Sequence, residues 1–355
     1  MAMLRVLSAS EQVAEHLRAE LENQTWTGMM PGGDKLAREL GVGGNTIEAA
    51  LKILENDGWL ENRGRRRGRK IHPKSRSQQD RRLRVSLLLL EPSAQYSPPV
   101  LELARALEAA GHQVSYAGKS QKELGHNTLR IARHVKQTTA DAWVVCAAPR
   151  ETLKWFEQSG LPSFAYSGRA NQVQIPSMSP DKAPAIRSAI QRLYELGHRR
   201  MVYLCRPERR IPEPGLLERE FIKELKNLGI VTGSYNLPDW DEDIEGFHRG
   251  LGSLFGLTAP TAVFVDDCLF VTATIQFCTR AGLRIPEDFS LISTDYDPSF
   301  AWCLPSIAHI RWESRSITRR IVQWADHIAL GKQDINKGFS KARFVDGGTV
   351  GRAKG

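Results

Sequence analysis

The 355-residue chain is poor in paired cysteine, in long apolar runs and in catalytic signatures. Its five cysteines, Cys146, Cys205, Cys268, Cys278 and Cys303, are scattered with no CxxC pair. That excludes the usual zinc-ligand spacing and a disulfide framework, and the thiols read as buried and reduced. No apolar run approaches the roughly 20 residues that span a bilayer. The opening MAMLRVLSASEQ lacks the apolar core of a secretory leader. A cytoplasmic location without membrane contact is therefore expected. GxxxxGK[ST], HExxH and GxSxG are all missing. Gly41-Val42-Gly43-Gly44 imitates a phosphate-binding loop but follows a helical pattern rather than a strand. No enzyme, catalytic residue, cofactor or metal is expected.

What the chain does have is a concentrated positive charge. The net charge is +9, and residues 61–84 hold eleven Lys or Arg against two acids. One short segment supplies the whole excess, which is the footprint of a nucleic-acid contact rather than of a generally basic protein.

The stretch just before it has a definite pattern. Ser10 is placed to cap a first helix carrying Val13, Leu17 and Leu21 at steps of four. Asp34 is placed to cap a second, with Leu36, Ala37 and Leu40 on one face and Gly41 as its stop. Ile47, Ala50, Leu51 and Leu54 give a third stripe over about Asn45 to Asn56, closed by Asp57-Gly58. Two short helices across a glycine turn form a helix-turn-helix. The strand start at Trp59-Leu60 and the basic run between Gly64 and Gly68 add a β-hairpin, making a winged helix. Asn45 and Thr46 are short polar residues at the start of the recognition helix, placed to reach bases or phosphates; the alternative is that Asn45 or Gly44 only caps the helix. Lys35 is an exposed candidate for phosphate. Arg63, Arg65, Arg66 and Arg67 form a wing suited to the minor groove or the DNA backbone.

Met30-Pro31, Leu36-Ala37-Arg38-Glu39-Leu40-Gly41-Val42, Asn45-Thr46-Ile47 and Ala50-Leu51…Leu54…Gly58 together resemble the DNA-binding domain of GntR-family transcription regulators, over roughly residues 8–72. Four positions depart from it. Gly43, Gly44 and Glu48 stand where that family has Ser and Arg around the recognition helix, and Asp34 stands for another Arg. Losing arginines weakens guanine readout. Glu48 is open to three readings: acceptor from a cytosine amino group, repeller of phosphate, or solvated helix face.

Residues 72–82, HPKSRSQQDRR, read as a linker. Beyond it the pattern alternates strand and helix. Buried strands are expected at 84–90, near Val114, at 142–146, 163–166, 201–205, 262–265 and 289–294. Helices are expected between them, with a long one from Asp181 to Leu196 and a last one from about Glu313 to Ala329. The fold class is α/β, with parallel sheets and helices on both faces, in two consecutive lobes around a cleft. Ligands of such folds sit at strand carboxyl ends. The residues there with sugar-binding chemistry are Arg150, Arg206, Asp266, Asp267 and Asp295, with Tyr96 and Trp240 as aromatic platforms; Trp240 reads equally well as core.

Three strings carry a second resemblance: Asp181…Leu196-Gly197-His198-Arg199-Arg200, Pro260-Thr261-Ala262…Asp266-Asp267, and Gly282-Leu283-Arg284-Ile285-Pro286-Glu287-Asp288 followed by Asp295. They resemble the effector domain of the LacI/GalR family, which shares the periplasmic-binding-protein fold, over roughly residues 83–350. The resemblance implies a small-molecule, sugar-like effector in the cleft, Asp266 and Asp295 as its best contacts, and a homodimer. Asp266 stands for the family's Asn, and Leu217 stands where its cleft Arg is expected, so the arginine of the second lobe is left open. The combination resembles arabinose-repressor-type regulators. The expected domains are 1–72, winged helix; 73–83, basic linker; and 84–350, two-lobed sensor. The expected function is a sequence-specific regulator of double-stranded DNA, a repressor by resemblance. The alternative is a small-molecule sensor with degenerate DNA binding that acts through a partner protein.

Overall fold

The computed structural model describes residues 8–22, 25–64, 68–71, 82–266 and 268–354. The chain divides into two compact units, Met1–Leu83 and Arg84–Gly355.

The first unit contains α1 (Ala9–Glu22), α2 (Gly33–Leu40), α3 (Gly44–Asn56), β1 (Leu60–Asn62) and β2 (Arg69–Ile71). Ala14, Leu17 and Leu21 of α1 pack with Leu36 of α2, with Ile47, Ala50, Leu51 and Leu54 of α3, and with Leu60 and Ile71 of the hairpin. Burial of each large side chain is worth about 1.5–3 kcal/mol, and these residues hold otherwise marginal short helices together. Gly41 ends α2 in the left-handed region at φ +64°, as a C-terminal glycine should. The caps differ from expectation. Ser8, not Ser10, caps α1: its Oγ accepts from Glu11 N, while Glu11 Oε2 accepts from Ser8 N. Helix α2 begins at Gly33 with Gly32 as its cap, so Asp34 lies inside the first turn. Gly43 caps α3 through its backbone alone, so Asn45 and Gly44 do not. The hairpin is antiparallel, pairing Leu60 with Ile71 and Asn62 with Arg69.

The second unit begins with β3 (Arg84–Leu88), α4 (Pro98–Ala109), β4 (Gln113–Tyr116), α5 (Thr128–Gln137), β5 (Ala142–Cys146), α6 (Arg150–Ser159), β6 (Ser163–Tyr166) and β7 (Ser177–Asp181). It continues through α7 (Ala183–Glu195), β8 (Met201–Leu204), α8 (Pro207–Arg210), α9 (Leu216–Asn227), α10 (Ile244–Leu257), β9 (Ala262–Val265), α11 (Cys268–Ala281) and β10 (Ser290–Ser293). It ends with β11 (Ala308–Trp312), α12 (Ser314–Ala329) and β12 (Lys337–Val345). The ten strands run in the order β4-β3-β5-β6-β7-β12-β11-β10-β9-β8. All neighbours are parallel except β11 with β12. Central strands such as Ala142–Cys146 and Ala262–Val265 are buried along their whole length, as parallel strands covered on both faces must be.

The expected two lobes are two halves of one sheet. Lobe 1 has a core around Trp143, Phe156 and Val173. Lobe 2 has one core around Phe221 and Tyr203 and another around Phe247, Phe270 and Phe289. The chain crosses between lobes from β7 to α7, from β11 to α12, and along β12, whose first half pairs with β7 and second half with β11. The long helix expected from Asp181 instead starts at Ala183. Asp181 ends β7 and does not cap the helix, because Lys182 holds that position. Strands β7, β11 and β12 go beyond the sequence reading. All five cysteines are free thiols. Cys146, Cys205 and Cys278 are buried as expected, but Cys268 and Cys303 are half-buried. No described helix is long and apolar enough to cross a membrane.

Candidate functional site: a winged helix and an ion-paired cleft

In the first unit, Lys35 is exposed and lies 3.7 Å from Glu39. Asn45 is exposed and Thr46 half-buried in the first turn of α3. Arg63 is exposed at the end of β1, 4.0 Å from Glu61. Arg65, Arg66 and Arg67 lie outside the described residues, as does most of the 73–83 linker. Asn62 Oδ1 accepts from Gly64 N at 2.9 Å, which shapes the start of the wing turn.

Glu48 is exposed and has a partner that none of its three expected readings included. Arg69 of β2 reaches back over α3. Its Nη2 meets Glu48 Oε2 at 2.8 Å and its Nε meets Glu55 Oε1 at 2.5 Å. Glu48 and Glu55 are seven residues apart, two helical turns, so they lie on one face. One guanidinium ties the wing strand to the recognition helix through both. The Glu48 hydrogen bond, against the opposing effect of burial, raises the Arg69 pKa above the ordinary guanidinium value.

In the second unit, the carboxyl ends of the strands converge on the expected cleft, and charged side chains meet there across the lobes. Lys122 Nζ of lobe 1 lies 2.9 Å from Glu242 Oε1. His126 Nε2 lies 3.3 Å from Glu208 Oε1, and Arg150 Nη2 lies 3.1 Å from Glu213 Oε1. Arg169 Nη2 donates to the carbonyl oxygens of Glu208, Arg209 and Glu213 at 2.7–3.1 Å, capping the short α8. Arg206 runs the other way. It is 7% exposed, stacks over Phe270, and binds Glu91 of lobe 1 at 3.1 Å and Glu242 at 2.5 Å. Burial, with help from Glu242, pushes the Glu208 carboxyl up to about 7. Burial holds His126 below the ordinary imidazole value. Ala147 and Ser167, at the ends of β5 and β6, are non-glycine residues at φ +52° and +63°. Backbone strain of this kind concentrates at binding sites.

Deeper in lobe 2, Asp266 is 1% exposed. It accepts from Tyr203 Oη at 2.6 Å and Arg206 N at 2.7 Å, and pairs with Arg209 Nε at 3.4 Å. Arg209 also lies 3.8 Å from Glu218. Arg209 of α8, rather than a residue of α9, is thus the arginine that stands beside Asp266 in this lobe. Asp295 sits at the crossings. Lys182, just after β7, and Trp312, at the end of β11, meet its Oδ1 at 2.5 Å and 3.0 Å.

Of the expected cleft residues, Arg206 and Asp266 are adjacent, Asp295 is at the hinge, Arg150 is at the rim, and Asp267 lies outside the described residues. Trp240 is a core residue. Its Nε1 donates to Cys205 O and its ring packs edge-on to Phe247 and Phe270, leaving no open face for a sugar. Tyr96 is 73% exposed at the end of a 3-10 turn. Sequence reasoning missed Glu91, Lys122, His126, Arg169, Lys182, Glu208, Glu242 and Trp312. Of these, Glu208 alone lay in a stretch that carried a signal, the dense charge of Arg206–Pro214. Among the described residues no cluster of three or more His, Cys, Asp or Glu could hold a metal.

Comparison with known proteins separates the same two parts. Residues 9–69 match the family described as bacterial regulatory proteins, gntR family, and residues 190–349 match a periplasmic binding protein-like domain. The repressor CytR of Escherichia coli strain K12 is 28% identical over 162 residues, 44% of this chain and 47% of that protein. The regulator MalR of Streptomyces coelicolor is 27% identical over 156 residues, 43% of this chain and 45% of that protein. The chain spans about half the length of the curated relatives it matches. Among solved structures, a transcriptional regulator CelR–cellobiose complex superposes with a TM-score of 0.63 at 18% identity, covering 90% of this chain and all of that one. A lac repressor dimer bound to operator and an anti-inducer superposes with a TM-score of 0.63 at 15% identity, covering 79% and 97%. At these identities the superpositions establish the fold.

Proposed function

We propose that a gntR-type winged helix joined to a periplasmic-binding-protein-like sensor makes this chain a ligand-responsive, DNA-binding transcription regulator rather than an enzyme. The observation that carries the reading is the winged helix itself. Asn45, Thr46, Lys35 and Arg63 are open to solvent or half-buried on it, and the chain's whole excess of positive charge begins in the wing. In this reading Lys35 and Arg63 meet phosphates, Asn45 and Thr46 lie nearest the bases, and Arg65, Arg66 and Arg67 extend the wing's grip. Residues 1–72 read DNA, 73–83 link, and 84–350 sense and dimerise, placing two winged helices on one inverted repeat. CytR is named a repressor, and this chain is proposed to repress. CelR was solved with cellobiose, and a sugar-like effector fits the polar cleft around Asp266, Arg206 and Asp295. A DNA-binding role places the protein in the cytoplasm.

The test is selection of genomic fragments by the purified protein, followed by binding as a function of salt. Enrichment of one inverted repeat, lost in Arg65/Arg66/Arg67→Ala, supports the reading. Uniform binding to every fragment refutes sequence specificity. That outcome favours the second reading, a sensor that rests on DNA and acts through a partner protein. The observation behind it is that Glu48 of the recognition helix pairs with Arg69 of its own wing.

A further inference from the structure

The lobe 1 wall of the cleft includes one turn laid on the end of β3. Gln121 N donates to Leu89 O and Lys122 N to Leu90 O, both at 2.9 Å, which sets residues 121–126 beside Glu91. The Gln121 side chain is fully buried at the strand ends, where its Nε2 donates to Cys146 O of β5 at 2.7 Å. Lobe 2 meets this turn with Arg206, Glu208 and Glu242. Lys122 Nζ lies 2.9 Å from Glu242 Oε1, and His126 Nε2 lies 3.3 Å from Glu208 Oε1. One turn of lobe 1 therefore touches both acids.

The polar atoms left over at this place are acceptors. Gln121 Oε1, Glu208 Oε2 and Glu242 Oε2 are buried with no partner among the described residues. His126 Nδ1 is a fourth such atom. With Nε2 against a carboxylate oxygen, the neutral ring carries its proton there and leaves Nδ1 to accept. Buried acceptors without donors are costly, and these come from both lobes. The charge balance has the same sign. Glu91, Glu208 and Glu242 share two permanent cations, Arg206 and Lys122. His126 is a third neighbour but is mostly uncharged at neutral pH.

Arg206 shows that this lining holds a buried cation. Its guanidinium lies 4.9 Å from the Phe270 ring centroid, meets both Glu91 oxygens at 3.1 and 3.3 Å, and meets Glu242 at 2.5 Å. The other cations around the cleft are engaged. Arg169 donates to three carbonyl oxygens, Lys182 pairs with Asp295, and Arg209 pairs with Asp266 and Glu218. Arg150 Nε is buried without a partner among the described residues, but its guanidinium is already paired with Glu213.

We propose that the effector of this sensor carries a protonated amine, which sits between the Gln121 turn and the Glu208 and Glu242 carboxylates and bonds both lobes at once. The proposal rests on the reading of Arg84–Gly355 as a cleft sensor and narrows its sugar-like effector to an amine-bearing one, of which an amino sugar is the simplest kind. An ammonium group has three donors and no acceptor, the complement of a set of orphaned acceptors, and its bonds to carboxylates are charge-assisted. A neutral sugar brings hydroxyl donors without the charge. A phosphate or carboxylate ligand brings more negative charge to acids that already outnumber their permanent cations. Because the acceptors belong to both lobes, a bound amine also favours the closed cleft.

The test is calorimetric titration of the full chain without DNA, near neutral pH and at constant ionic strength. The amine probes are glucosamine, putrescine and agmatine. The controls are glucose, N-acetylglucosamine and inorganic phosphate. At least one amine should bind at least about tenfold more tightly than every control, a difference of about 1.4 kcal/mol. Glu208→Gln and Glu242→Gln, each folded by circular dichroism, should weaken that amine at least about tenfold, because the amide removes the charge and keeps the shape. Glucose or N-acetylglucosamine binding as tightly as glucosamine would overturn the proposal, as would phosphate binding more tightly than any amine. So would a panel in which no amine binds, or amine binding unchanged in both variants. A control that binds in place of the amines sinks the amine and leaves the cleft sensor standing. Silence from every probe sinks the amine alone, since the fragment selection tests the DNA-binding regulator independently.

Discussion

Replacing Arg69 with Met tests whether the wing is braced on the recognition helix by charge. Met keeps the apolar stem of the side chain and removes the guanidinium. The Arg69 and Glu55 side chains are 20% and 19% exposed and 2.5 Å apart. A charge-assisted hydrogen bond in such a site is worth about 1.5–3 kcal/mol. Glu48 is 58% exposed, and screening reduces its share to about 0–1 kcal/mol. Glu55 keeps a bond from Asn62 Nδ2 at 3.3 Å, which softens the loss. Local stability of α3 should therefore fall by about 2 kcal/mol, roughly a thirtyfold rise in amide opening. Hydrogen exchange of residues 47–56 in the full chain measures it. Glu48→Gln should cost well under about 1 kcal/mol. Arg69→Met with Glu55→Leu should recover much of the loss, because no buried charge is then left alone. The bracing argument is refuted if Arg69→Met leaves exchange in α3 unchanged while lowering the salt slope of DNA binding. Arg69 would then be a phosphate contact.

Three further outcomes follow from other parts of the fold. Leu54→Ala empties the centre of the first unit's core and should destabilise that unit by about 2–5 kcal/mol, read as lost exchange protection in α1 and α3. Tyr203→Phe takes the 2.6 Å donor from the buried Asp266 carboxylate and should cost about 1–3 kcal/mol in thermal or urea unfolding of the second unit. Gly168→Ala should be among the most damaging single substitutions. The glycine sits at φ +84°, and an added Cβ would lie 2.5 Å from Ala148 O, so the β6 loop must move. The expected result is a loss of at least about 1–3 kcal/mol, accompanied by release of Arg169 from the α8 carbonyls, seen as faster exchange across 206–215.

Much of the molecule was written in local chemistry. The three apolar stripes, Gly41, and the basic run after Asn62 made the winged helix legible, because helix period, glycine stops and charge are properties of neighbouring residues. The alternating apolar strands made the α/β lobes legible for the same reason. Asp266 and Arg206 could be placed because strand carboxyl ends are where such folds present side chains.

Other features depend on residues that meet only in three dimensions. Ser177–Asp181 and Lys337–Val345 are too polar and interrupted to read as strands. They become strands because each completes the other's hydrogen bonds at the crossing between lobes. Glu48 looked like a lost base contact because Arg69, 21 residues away, was invisible as its partner. Trp240 read equally well as sugar platform and as core, and the enclosure by Phe247 and Phe270 decides for core. An ion pair across the cleft joins Lys122 to Glu242, 120 residues apart. Periodicity and composition determined which elements form and where charge accumulates. Which charges neutralise one another was decided only by the tertiary structure, because Coulomb attraction and desolvation act through distance in space, not along the chain.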